Sequence, residues 1–205
     1  MTSEVTEQFV LAHLPAPPCR LLEVGCGSGE LALELAAAGY DVVAIDPRSP
    51  NGEIFRRVAL EAFVDPNPFD AAVANRSLHH IPNLAGAIDR IAQLLRPSGT
   101  LVVNEHAWER FDQQTARWYI RHRRDRRPSQ AESRAAWEAD HAGLHTGAVM
   151  RSELDRRFGE RHFEWCPYLY GELGDPALQA EERRLIDAGE IAATGLRYVG
   201  ERRVH

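Results

Sequence analysis

Apolar residues arrive in short blocks whose spacing alternates between strand and helix periods. Residues 3–14 set Val5, Phe9 and Ala12 near helical spacing and stop at the cluster from Pro15 to Pro18, which predicts an amphipathic helix. RLLEV at 20–24 ends abruptly in GCGSG, the pattern of a buried strand feeding a glycine turn. ELALELAAAG at 30–39 consists of strong helix formers, with Gly39 where a C-cap falls. DVVAIDP at 41–47 is a second β-branched run, closed by Asp46 and Pro47. Strand, turn, helix and strand within about thirty residues make a βαβ unit.

The alternation continues with a weak strand near 55–60 and a stronger one in FDAAVAN at 69–75. LAGAIDRIAQLL at 84–95 puts Leu84, Ile88, Ile91 and Leu95 on one helical face, and Pro97 with Gly99 ends it. TLVVNE at 100–105 is the next strand. Such alternation predicts an α/β fold with a parallel sheet and helices on both faces. After Glu105 the texture changes, because residues 107–145 are charged, aromatic and helical without the βα rhythm. A sheet-covering helix at 152–158, a strand at 161–166, a helix at 177–188 and an alternating strand at 194–203 complete the chain. With no repeat or linker, the expected organisation is one domain over 1–205, with a lid insertion at 107–145 after strand five.

Composition narrows the possible functions. A hydrophobic share of 44% in 205 residues supports a sizeable core rather than disorder. The formal net charge of −6 disfavours a protein built to grip nucleic acid. No apolar run approaches the roughly 20 residues that cross a bilayer. The first residues carry two glutamates and no lysine or arginine before Arg20, unlike a secretory signal. Cys19, Cys26 and Cys166 are odd in number and lack metal-ligand spacing, so the chain is expected in the reducing cytoplasm without disulfides. The sequence does not set an oligomeric state.

Glycines 25, 27 and 29 follow a strand and open a helix, where the backbone turns sharply and free N–H groups face a ligand. Asp46 lies 21 residues beyond Gly25 at the end of the next strand, where its carboxylate is placed to accept both hydroxyls of a ribose. Glu23, just before the turn, suits a ligand ammonium or sulfonium charge. A plain structural turn is the bland alternative for the glycines alone, and the spacing of Asp46 argues against it. A nicotinamide fold needs its third glycine at position 30, which is Glu30, and a carboxylate there would repel a pyrophosphate.

LLEVGCGSGELALELAAAGYDVVAIDP closely resembles the first motif of class I S-adenosylmethionine-dependent methyltransferases. FDAAVANRSLHHI resembles their fourth motif and LLRPSGTLVVNE their sixth, so the resemblance spans about 20–106 in order. It implies a seven-stranded, mostly parallel Rossmann-like sheet, whose last strand is antiparallel and inserted beside the fifth. It also implies S-adenosylmethionine as cofactor. Gly25 and Gly27 would lie under the methionine part, Asp46 at the ribose, and Pro47 beside the adenine. By the same resemblance Leu60 contacts the adenine, and Asn75 offers backbone oxygen to the methionine amino group.

Methyl transfer from a sulfonium relies largely on positioning, with a base required when the acceptor must lose a proton. His79 and His80 lie just beyond strand four, at the edge where open α/β sheets bind ligands. Either is a candidate base, or else a structural or cofactor-supporting residue, with His79 nearer the strand end. Glu105, closing strand five, is placed to orient a histidine or to bind the acceptor. In the cluster of Asp140, His141 and His145, the two histidines four apart would share a helical face, open to metal binding, substrate contact or plain packing, with Gly143 weakening that helix. Trp108, Phe111, Trp118, Tyr119 and Trp137 offer either an apolar pocket for a ring-bearing or lipid-like substrate or a lid core. RHRRDRR at 121–127 reads as a solvated face or a contact for an anionic group.

Positions 75–78 read Asn-Arg-Ser-Leu, without the Pro-Pro-aromatic pattern of enzymes that methylate exocyclic base nitrogens. No proline-cysteine nucleophile for cytosine C5 stands in that region either. The reading favours methylation of a small molecule, first on oxygen, with no nucleic-acid or membrane partner and no metal. The alternative is a regulatory or scaffold protein that binds S-adenosylmethionine without turnover.

Overall fold

The run at 20–24 forms strand β1 (Arg20–Val24), buried throughout beyond Arg20, which is why its apolar residues follow one another without alternation. Successive side chains point to opposite faces, so Leu21 joins one apolar layer and Leu22 the other. Strands β2 (Asp41–Ile45), β3 (Phe55–Arg56), β4 (Phe69–Asn75), β5 (Leu95–His106), β6 (Phe158–Cys166) and β7 (Gly195–Arg202) follow. The computed structural model describes residues 4–123 and 130–203. Its strands form one seven-stranded sheet in the order β3-β2-β1-β4-β5-β7-β6. Only β7 runs antiparallel, against both β5 and β6. This is the seven-stranded, mostly parallel sheet expected, with its last strand beside the fifth.

The helices are α1 (Glu4–His13), α2 (Glu30–Ala37), α3 (Leu84–Leu94), α4 (Gln113–His122), α5 (Gln130–Asp140), α6 (Gly147–Arg157), α7 (Leu169–Glu172) and α8 (Gln179–Asp187). Phe9 and Val10 of α1 and Leu31 and Leu35 of α2 cover one sheet face. Ile88 and Ile91 of α3, with Met150 and Leu154 of α6, cover the other. The predicted stripe of Leu84, Ile88, Ile91 and Leu95 is buried throughout. Strand β5 nevertheless begins at Leu95 rather than Thr100. Leu95 pairs with Phe69 across a break in register, and Ser98 takes a left-handed φ of 58° to make it. Among the described residues no helix is long and apolar enough to cross a membrane.

The lid differs from the expected single insertion. Phe111, Trp118 and Trp137 from 107–145 form a third apolar cluster, but Leu169, Leu185 and Ile191, between β6 and β7, belong to it as well. Helices of 10 and 11 residues with so many aromatics cannot bury them against each other alone, so α7 and α8 complete the layer. Trp118 and Phe111 are thereby core residues of the lid. Glu182 of α8 pins the second segment. Its carboxylate is fully buried and accepts the N–H groups of Tyr168, Leu169 and Tyr170 at 2.9, 3.1 and 2.9 Å.

Replacing Glu182 with alanine leaves those three donors unpaired, with an expected loss of about 2 kcal/mol or more. Hydrogen exchange should accelerate at residues 168–173 well beyond any change in β4 and β5. Uniform acceleration across the chain would contradict the local role.

Candidate functional site

Chain connections leave β1 toward β2 and leave β4 toward β5, so a crevice opens at the carboxyl ends of the adjacent strands β1 and β4. The glycine turn sits there. Gly25 has φ +75°, and a Cβ on it would lie 2.3 Å from the Ser77 Cβ, so only glycine admits this approach. Ser77 Oγ donates to the Val24 carbonyl at 2.7 Å and holds the two loops together. Gly27 has φ +52°, and a Cβ on it would meet nothing within 4 Å, which leaves its backbone facing open space.

Asp46, at the end of β2, has Oδ2 accepting from Gly27 N at 3.2 Å and Oδ1 from Arg48 N at 2.7 Å. The resulting cleft of about 520 Å³ is lined in part by Gly25, Gly27, Asp46, Pro47, Leu60 and His80. Five of the seven cofactor candidates therefore meet in one wall, Leu60 through a 3-10 turn at Leu60–Ala62. The other two stand apart from it. Glu23 is only 3% exposed, with Oε2 unpartnered, and lies beneath the turn. Burial, reinforced by the negative charges of Glu34 and Asp46, pushes its carboxyl up to about 8. Asn75 turns its side chain to Asn104, whose Nδ2 donates to Asn75 Oδ1 at 2.9 Å.

The candidate catalytic residues are organised by Glu105. Its carboxylate is fully buried, and Oε1 accepts from the backbone N–H groups of Ser77 and Leu78 at 2.7 and 2.6 Å. Oε2 lies 2.5 Å from His79 Nδ1. Glu105 thus holds His79 and the loop after β4 in place. The His79 and His80 rings meet at 4.0 Å, tilted by 41°, and burial lowers the proton affinity of His80, helped by the charge of His79.

A second cavity of about 370 Å³ lies under the lid. His79, His80, His106 and His141 all contribute to its wall. Arg76 and His80 line both the cleft and this cavity. Arg76 holds a left-handed φ of 53° and pairs with Glu172 of α7 at 2.8 Å, which links the loop after β4 to the lid. His106 is a site residue that the sequence reading missed. Its position at the carboxyl end of a central parallel strand is a signal that could have found it.

The other candidates divide. Asp140 and His141 line the second cavity. His145 does not join them, because α5 stops at Asp140 and Gly143 turns the chain with φ +89°. Instead, His145 bonds the Ile81 carbonyl through Nε2 at 2.9 Å. Among the described residues no group of three His, Cys, Asp or Glu side chains has metal-binding geometry. Trp137 and Tyr119 reach the cavity, yet the cavity is largely polar rather than the apolar pocket considered from sequence. Of the arginine run, Arg121 and His122 close α4, Arg123 also lines the cavity, and positions 124–127 lie outside the described residues. Cys19, Cys26 and Cys166 are free and buried.

Residues 3–147 match a family model described as "Methyltransferase domain", which runs from the first helix to the opening of α6. The chain belongs to this family, and its sheet order is that of the class I S-adenosylmethionine-dependent fold. A ubiquinone biosynthesis O-methyltransferase from Xylella fastidiosa (strain 9a5c) is 32% identical over 111 residues, which are 47% of this chain and 45% of the relative. The chain thus spans about half the length of the curated relatives it matches. An S-adenosylmethionine dependent methyltransferase from Mesorhizobium loti aligns with a TM-score of 0.64 at 17% identity, covering 98% of this chain and 99% of that one. N-methyltransferase NodS from Bradyrhizobium japonicum WM9, in complex with S-adenosyl-L-homocysteine, aligns with a TM-score of 0.58 at 16% identity, covering 96% and 85%.

Gly25→Ala should lower stability by about 2 kcal/mol or more through overlap and a strained φ. Adding Ser77→Gly should recover part of that loss in urea unfolding; no recovery would show that Ser77 is not the obstacle.

Glu23 makes stability depend on pH with a definite sign. Between its ordinary value of 4.5 and its folded value of about 8, the folded chain keeps a proton that the unfolded chain has released. Stability from this group therefore falls as pH rises across that window. The Glu23→Gln protein should gain on the parent in urea midpoint from pH 5 to pH 8. A constant difference would count against a buried, protonated Glu23.

Proposed function

We propose that the chain is a methyltransferase whose cleft takes S-adenosylmethionine and whose histidine-lined cavity takes a small-molecule acceptor, methylated first of all on oxygen. The observation that carries this reading is the placement of Asp46, held by the Gly27 N–H in a cleft that shares Arg76 and His80 with a second cavity. The open backbone face at Gly27 and the carboxylate beside it fit the cofactor. When bound, it supplies an electrophilic methyl group on sulfonium sulfur.

In this reading Gly25 and Gly27 support the methionine part and Asp46 accepts the ribose hydroxyls. Pro47 and Leu60 flank the adenine, and the Asn75 backbone oxygen faces the amino group. Glu23, buried at the end of β1, backs the turn that carries these glycines. His80 stands between the two spaces, and burial keeps it unprotonated near neutral pH, so it is suited to take a proton from an acceptor hydroxyl. His79, fixed by Glu105, either shares that proton or holds the His80 ring in place. The name of the Xylella fastidiosa relative supports oxygen as the first acceptor atom. The net charge of −6 supports an enzyme that works without nucleic acid, the free cysteines support the cytoplasm, and the βα alternation supports a single domain with its lid.

The test pairs binding with turnover. Asp46→Ala should weaken S-adenosylhomocysteine binding at least tenfold by calorimetry, the scale of a lost charged hydrogen bond. Unchanged affinity would remove the ribose assignment. With labelled S-adenosylmethionine and a metabolite extract, the parent should yield a labelled product that a His79→Ala/His80→Ala double variant loses. Cofactor binding without any labelled product would favour a non-catalytic binding protein instead.

A further inference from the structure

The second cavity has in its wall a buried polar group that the rest of the protein does not satisfy. His106, at the carboxyl end of β5, is 3% exposed. Tyr168 lies flat on its ring at 4.2 Å with 5° between the planes, while Trp137 and His141 stand edge-on at 5.2 and 5.0 Å. Its Nε2 has neither solvent contact nor a hydrogen-bond partner. Buried nitrogens are nearly always paired, so an orphan in a cavity wall marks a place where a ligand supplies the partner. Burial, helped by the charges of His141 and His79, lowers the His106 pKa to about 2, so the imidazole stays neutral and one nitrogen stays free to accept.

The rest of the wall restricts what that ligand can be. Arg76 is engaged by Glu172 at 2.8 Å, and Arg123 lies 5.9 Å over the Tyr119 ring with Asp140 in the same wall. Formal charge is balanced, two arginines against two carboxylates, so nothing draws in an anion strongly. A space of about 370 Å³ is at the small end for a ligand site, and its largely polar lining does not suit a long apolar chain. The faces of Tyr168, Trp137 and Tyr119 are met by His106, Phe111 and Arg123, so the polar groups of the wall rather than open ring faces select the ligand.

We propose that the methyl acceptor is a compact, uncharged molecule bearing an O–H or N–H group, and that His106 Nε2 accepts a hydrogen bond from it. This makes His106 a specificity-determining residue, distinct from the His79–His80 pair. Because Nε2 has no solvent contact, the bond forms only once a neighbouring wall residue moves aside. The proposal rests on assigning this cavity to the acceptor.

Calorimetry on the full chain with S-adenosylhomocysteine added tests it through three probes: catechol, 1,2-dimethoxybenzene and benzoate. Catechol should bind at least tenfold more tightly than dimethoxybenzene, which lacks donors, and than benzoate, which is charged. His106→Phe should lose at least tenfold in catechol affinity, and His106→Gln should keep most of it, both with S-adenosylhomocysteine affinity unchanged. The proposal is overturned if no probe binds, if either competitor matches catechol, or if His106→Phe binds catechol like the parent. Should His106→Phe not fold, the three probes on the parent still decide. Failure of the parent to bind S-adenosylhomocysteine would strike the cofactor reading instead, and the probe ranking would then be read without it.

Discussion

The buried carboxylate of Glu105 fixes the geometry on which both cavities depend. Taking a carboxylate out of water is strongly unfavourable unless its lone pairs are met. Here two backbone N–H groups and a histidine ring meet them at 2.7, 2.6 and 2.5 Å. Those partners all belong to the loop after β4, so the end of β5 dictates where Ser77, Leu78 and His79 stand. Ser77 in turn meets the glycine turn, and Arg76 and His80 form the shared wall of cleft and cavity. One satisfied buried charge thus links the two spaces of the site.

Glu182 repeats the device in the lid, where three backbone N–H groups converge on its fully buried carboxylate. Each glutamate sits on a regular element and captures another segment, 26 to 28 residues away for Glu105 and 12 to 14 for Glu182. This division suits a methyltransferase-family chain. Strand β5 and helix α8 supply fixed attachment points, and short segments are fastened to them by directional bonds rather than by apolar packing alone.

The two sides of the site differ in character. The cleft is built from backbone, with left-handed glycines, a carboxylate held by N–H groups and a proline, and its shape follows from chain geometry. The cavity under the lid is built from side chains drawn from β5, α4, α5, α7 and the loop after β4. Its histidines and balanced charges arise only because the lid closes over the sheet from two separate stretches of chain.

That contrast explains what the sequence alone determined. Strand and helix periods, the stripe from Leu84 to Leu95, the glycine turn and the reach to Asp46 are local or follow from βα alternation, so each could be read along the chain. The antiparallel last strand followed from its alternation together with the resemblance. Tertiary structure decided the rest. The completion of the lid by α7 and α8, the loss of His145 to the Ile81 carbonyl, the capture of Ser77 and Leu78 by Glu105 and the orphaned Nε2 of His106 all involve partners far apart in sequence. Periodicity reports which face a residue occupies. It carries no information about which distant group will stand opposite, and in this protein that pairing shapes the second cavity.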